Sequence, residues 1–247
     1  MRTCWAECLG SCSEKMSREH PISRAMFEGD EIRVQGFPWC RDTPRRISVG
    51  NLTKKVLCQK HNSELSDLDM VGGEARKAFS QTNRAGDFHG ALPSIRGYHV
   101  AFLDGRKFER WCLKTLISIS FLGECPIGGN ANGPGRVDGE AVRLAFGLSD
   151  FQSGTGLYSI GSVGQEFSCA PHIRIAPLVG NEGHIFGALL IIFNFRFALM
   201  LEDMANDHIR IMSKGGISLV DRSEVCYRPA KLGIRVRGAD WMFVFNW

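Results

Sequence analysis

Five of the nine cysteines of this 247-residue chain fall in its first quarter: Cys4, Cys8, Cys12, Cys40 and Cys58. The first residues carry no apolar leader stretch, so the reading expects a cytoplasmic protein. An odd thiol count in such a chain argues against a disulfide framework and for metal. Tetrahedral Zn²⁺ takes four Cys or His ligands, commonly as two close pairs on turns. Cys58 and His61 make one such pair. The second pair comes from Cys4, Cys8 and Cys12; Cys4 and Cys8 are the favoured choice, Cys12 stays open, and Cys40 is a substitute. A structural zinc would compensate for the scarcity of apolar runs in this region. The scattered Cys112, Cys125, Cys169 and Cys226 read as small buried hydrophobes.

Hydrophobic residues at 44% and charged residues at 23% are those of a globular protein and exclude a disordered or fibrous chain. A net charge of +4 permits a nucleic-acid partner without requiring one. The most apolar run, 185–201, is interrupted by Asn194 and Arg196. It is expected to form two buried strands rather than a membrane span, because a span needs about 20 apolar residues and tolerates a central Arg poorly.

Two regions are expected, 1–92 and 93–247, joined across a polar stretch at 81–90. In the first, 32–34 and 52–57 read as short strands, and 63–69 and 74–80 as short helices. In the second, Phe108, Trp111, Cys112, Thr115, Leu116 and Ile119 lie on one face of a helix. The glycine-rich run 128–135 reads as a loop, and 140–146 as a short helix. Segments 157–163, 173–179, 185–193, 196–201, 209–212, 233–237 and 241–245 read as strands, from their content of Ile, Val and Phe. The fold class is therefore α+β: a small zinc-stapled module followed by a mixed domain with a mostly antiparallel sheet.

Chemistry is suggested by the pair Glu19-His20. A carboxylate can hold a hard divalent cation, and an imidazole can take a proton from water near neutral pH. Asn62 could add an amide oxygen to the cation. Such a set can attack a phosphodiester with activated water. Arg45, Arg46, Lys54 and Lys55 lie between the two halves of the pattern and suit phosphate contacts.

The order of these parts resembles the HNH (ββα-metal) nuclease family, over residues 4–69. A Cys pair comes first, then Glu19-His20-Pro21-Ile22, then Asn51-Leu52, then Leu57-Cys58 with His61-Asn62. The resemblance implies a treble-clef ββα zinc fold, with His20 as general base. Glu19 and Asn62 would be ligands of a catalytic Mg²⁺ or Mn²⁺, Asn51 would brace the loop, and Cys4, Cys8, Cys58 and His61 would bind structural zinc. Glu19 stands where the family usually has Asp, and His61 where it usually has Cys. The implied activity is metal-dependent endonuclease cleavage of DNA or RNA. The rival expectation is an inactive zinc module that binds nucleic acid or a protein. The region 93–247 would choose substrate or partner, or form a homo-oligomer, and no membrane is expected to be involved.

Overall fold

A computed structural model of the chain describes residues 4–87, 98–162, 172–193, 195–203, 223–236 and 239–247. The N-terminal elements are sparse. A 3-10 turn at Glu7–Leu9 and another at Arg24–Met26 precede a two-stranded antiparallel hairpin, β1 (Glu31–Val34) and β2 (Arg45–Ser48). A third turn, Val49–Asn51, leads through an extended segment to α1 (Gln59–Glu64) and α2 (Ser66–Asp87).

The strand expected at 32–34 is present as β1, but its partner is β2, and 52–57 is not a regular strand. Segment 52–57 instead runs antiparallel to 16–19 through isolated bridges, Met16 with Cys58 and Glu19 with Lys54. Its apolar residues explain this. Leu52, Val56 and Leu57 are all buried, so they do not alternate as one sheet face requires. The helices expected at 63–69 and 74–80 fall mostly within one helix, α2, with α1 ahead of it. No proline interrupts this stretch, and residues 81–87 of the expected connection are helical too.

After residue 97 the chain forms β3 (Tyr98–Asp104), α3 (Gly105–Ser120), α4 (Gly139–Phe146), β4 (Gly156–Ser162), β5 (Ile173–Val179), β6 (Ile185–Ile192), β7 (Phe195–Met200), β8 (Ser223–Tyr227), β9 (Lys231–Val236) and β10 (Ala239–Asn246). Five strands make an antiparallel sheet in the order β5-β6-β7-β4-β8. Three more make a sheet in the order β3-β10-β9, in which β3 and β10 are parallel. The architecture is thus mixed α+β with mostly antiparallel pairing. The apolar run at 185–201 forms β6 and β7, and no helix among the described residues is long and apolar enough to cross a membrane. The strand expected at 209–212 lies outside the described residues, while β3 and β8 were not anticipated.

α3 opens where Asp104 accepts a hydrogen bond from the Lys107 amide at 2.9 Å, an N-cap. It is buried along most of its length and forms the spine of the molecule. Phe79 of α2 stacks on Phe195 of β7, and Phe108 of α3 meets Phe197 edge-on. One apolar cluster thereby runs from Cys4 and Trp5 through α2 and α3 to Phe243 and Phe245, across the boundary expected at residue 92. Glu109, buried on α3, accepts from the Leu157 amide at 2.6 Å and from both Nε and Nη2 of Arg228, which fastens the larger sheet to the helix.

α2 approaches α3 closely at Gly72, where a Cβ would stand 2.5 Å from Trp111 Nε1. On an exposed helix Gly→Ala would stabilise by about 1 kcal/mol. Here overpacking reverses the sign, and Gly72→Ala is expected to lower stability by about 1–3 kcal/mol in urea unfolding. An unchanged or raised midpoint would show that α2 and α3 are not in contact there.

Candidate metal centre

Cys4, Cys12, Cys58 and His61 bring one ligand atom each into a group in which all four atoms lie within 4.8 Å of one another. His61 Nδ1 is 3.4 Å from Cys4 Sγ, 3.6 Å from Cys12 Sγ and 3.3 Å from Cys58 Sγ. A tetrahedral zinc with Zn–S of about 2.3 Å and Zn–N of about 2.0–2.1 Å puts its sulfur and nitrogen ligands roughly 3.6 Å apart. The four residues form a candidate metal site whose donor set and spacing are consistent with structural zinc.

The expected Cys58–His61 pair is in place, and Cys12 replaces Cys8. The backbone gives the reason. The turn Glu7–Leu9 carries Cys8 outward, where its side chain is exposed. Gly10 and Ser11 then take left-handed φ values of 74° and 53°, which reverses the chain and returns Cys12 toward Cys4. Cys40, the substitute ligand, is buried in the β1–β2 loop and is not in the group.

Local chemistry suits a cation. Cys58 is the N-cap of α1, and although burial raises its thiol, the backbone amides of His61 and Ser13 bring it down to about 7. Burial pushes the Cys4 thiol up to about 12, so without metal this sulfur stays protonated. Burial also lowers the His61 imidazole, which favours the neutral ligand form. Trp5 and His61 both pack edge-on against Phe146 of α4, at 5.6 and 5.5 Å between centroids, and this seats the cluster against α4.

Of the residues expected to carry catalysis, Glu19 and His20 lie on the neighbouring antiparallel segments and Asn62 lies on α1. Glu19 and Lys54 exchange backbone hydrogen bonds at 3.0 and 2.7 Å, and Ser17 donates its amide to Leu57 at 2.8 Å. His20 Nδ1 is 2.9 Å from the Leu52 carbonyl. A carbonyl only accepts, so Nδ1 is the donor of this bond, which in a neutral imidazole makes Nε2 the acceptor. Asn62 donates through Nδ2 to Ser17 Oγ at 3.1 Å, and its buried Oδ1 accepts no hydrogen bond.

Glu19 does not fit the expected cation. Its side chain is only 3% exposed, and Lys114 Nζ of α3 stands 3.1 Å from Oε1, as an ion pair rather than an aligned hydrogen bond. Burial pushes the Glu19 carboxyl above the usual range, and the Lys114 charge pulls it back. The same ammonium is 2.7 Å from Asp69 Oδ1, which also accepts from Ser23 Oγ; Ser23 in turn accepts from Trp111 Nε1 at 2.8 Å. Among the described residues the Cys–His set is the one group of three or more His, Cys, Asp or Glu arranged to hold a metal.

The basic residues divide. Lys54, expected at phosphate, is turned inward: its Nζ donates to the carbonyls of Ser118, Ile119 and Phe121 at the end of α3, the last at 2.6 Å. This favourable charge at a helix C-terminus is a structural use. Arg45, Arg46 and Lys55 are exposed, as is Asn51 at the end of the turn Val49–Asn51. Sequence reasoning passed over Lys114, Asp69, Ser23 and Trp111 as a set. The signal was a lysine amid the apolar positions of the α3 pattern.

Comparison with family models, with curated proteins and with solved structures found no match to this chain.

The zinc assignment separates the two cysteine choices. Cys12→Ala is expected to purify with less than one zinc per chain, whereas Cys8→Ala keeps the wild-type zinc content, as read by atomic absorption. The opposite pattern would restore Cys8 as the ligand.

Proposed function

We propose that residues 4–64 are a zinc-stapled, treble-clef module that binds nucleic acid through the β1–β2 hairpin. The observation that carries this is the register of the hairpin. Arg33 lies directly opposite Arg46, with both side chains on the exposed face. Like charges placed opposite each other destabilise a two-stranded ribbon, and a phosphate between them removes that cost. The Arg46–Glu31 pair, at 3.5 Å between side chains 78% and 66% exposed, is too solvated to hold Arg46 away from a ligand. Arg45, next to Arg46 on β2, is exposed as well, as is Lys55. Trp39, 44% exposed and stacked on Phe37, offers a ring for a base at the hairpin tip. A two-stranded ribbon also fits the major groove of a duplex.

The second reading is the endonuclease itself. One observation favours it: His20 is held through Nδ1 by Leu52, which leaves Nε2 able to accept a proton from water. This reading keeps His20 as base and asks Asn62 Oδ1 to serve a cation. The Glu19–Lys114 pair weighs against it.

Both readings meet in one set of assays on the full chain. Binding to labelled duplex and single-stranded oligonucleotides, followed by fluorescence anisotropy, is expected to weaken steeply with salt. Arg33→Ala/Arg46→Ala should lower the salt slope by about one for each phosphate contact removed. Salt-independent binding, or a double variant that binds as wild type, would contradict the first reading. Plasmid cleavage with Mg²⁺ or Mn²⁺ that is lost in His20→Ala would establish the second.

A further inference from the structure

Outside the metal centre, the buried ammonium of Lys114 is the most constrained charged group among the described residues. Its side chain is 2% exposed, it comes from α3 rather than from the motif segments, and it lies between two carboxylates at 3.1 and 2.7 Å. A lysine buried to this extent is stable only where opposite charge surrounds it. Glu19 is buried equally, and the buried Ser118 hydroxyl, one helical turn beyond Lys114, also acts on its carboxyl.

We propose that the Lys114 ammonium occupies the position at which a divalent cation would otherwise meet Glu19, so that the module works without that cation. The arrangement is a carboxylate–cation–carboxylate bridge in which one fixed positive charge is shared between Glu19 and Asp69. A divalent ion bound to Glu19 would have to displace a desolvated ammonium or sit beside it, and like charges at such a distance repel strongly in a water-poor site. The bridge also converts a motif residue into a brace. Glu19 leads to Lys114 of α3, Lys114 to Asp69 of α2, and Asp69 through Ser23 to the Trp111 indole. This inference concerns the cation alone and does not depend on the hairpin binding nucleic acid, so either can fail while the other stands.

The test is a Mn²⁺ titration of the zinc-loaded full chain, followed by electron paramagnetic resonance of free Mn²⁺. Mn²⁺ prefers oxygen ligands and leaves a thiolate site to zinc. Wild type and Glu19→Gln are expected to give superimposable titrations. Lys114→Ala, which frees both carboxylates and leaves room for the ion's waters, is expected to gain a Mn²⁺ site about tenfold tighter than any in wild type. Glu19→Gln/Lys114→Ala should lose it again. A Mn²⁺ ion held by wild type and lost in Glu19→Gln would overturn the proposal. So would a folded Lys114→Ala that keeps its zinc and gains no Mn²⁺. If Lys114→Ala does not fold, the comparison of wild type with Glu19→Gln still decides.

Discussion

The convergence of three sulfurs and one imidazole on a single point holds the N-terminal quarter of this chain together. That quarter contains two short strands, three 3-10 turns and one six-residue helix before α2 begins. Such elements bury too little apolar surface to be stable alone. The Cys–His cluster ties the segment at 4–12 to the cap of α1, and Trp5 and His61 then seat this knot against α4. Metal binding at such a site contributes directly to folding, because the unfolded chain does not preform it.

The second constraint is the charge bridge under α3. Glu19, Lys114 and Asp69 lie where the motif segments, α2 and α3 meet; Glu19 and Lys114 are buried and would each be costly there without the other, while Asp69 reaches the ammonium from the half-exposed side. Lys54 repeats the theme by capping the end of α3 with its ammonium. Residues that resemble nuclease machinery in sequence thus do structural work here. His20 is oriented by the Leu52 carbonyl, the carboxylate next to it in sequence is engaged by Lys114, and Arg33 and Arg46 of the hairpin face solvent.

Long, strongly patterned elements were legible in the sequence. α3 follows from its apolar face, β5, β6 and β7 from their branched residues, and the Cys58–His61 pair from its spacing. The extent of α2 was not legible: two short helices were expected at 63–69 and 74–80, whereas one helix runs through both, with Gly72 admitting the Trp111 ring and Gly73 lying against Ala25. Nor was the choice of Cys12 over Cys8, since both recur at equal spacing and only the left-handed Gly10 and Ser11 decide between them. The strand expected at 52–57 is not regular, because Leu52, Val56 and Leu57 are buried together against 16–19, and the strand at 45–48 that pairs with β1 was not anticipated. Lys114 shows in the sequence only as a lysine among the apolar residues of α3; its role was not legible, because its partners are 45 and more residues away.

Cobalt substitution tests the central claim most directly. The account predicts that the zinc-free chain takes up one Co²⁺ and shows the intense visible absorption of a tetrahedral site, with thiolate-to-cobalt charge transfer of a size set by three sulfurs. Weak, octahedral-type absorption, or no uptake, would contradict a Cys4–Cys12–Cys58–His61 metal centre and the fold that depends on it.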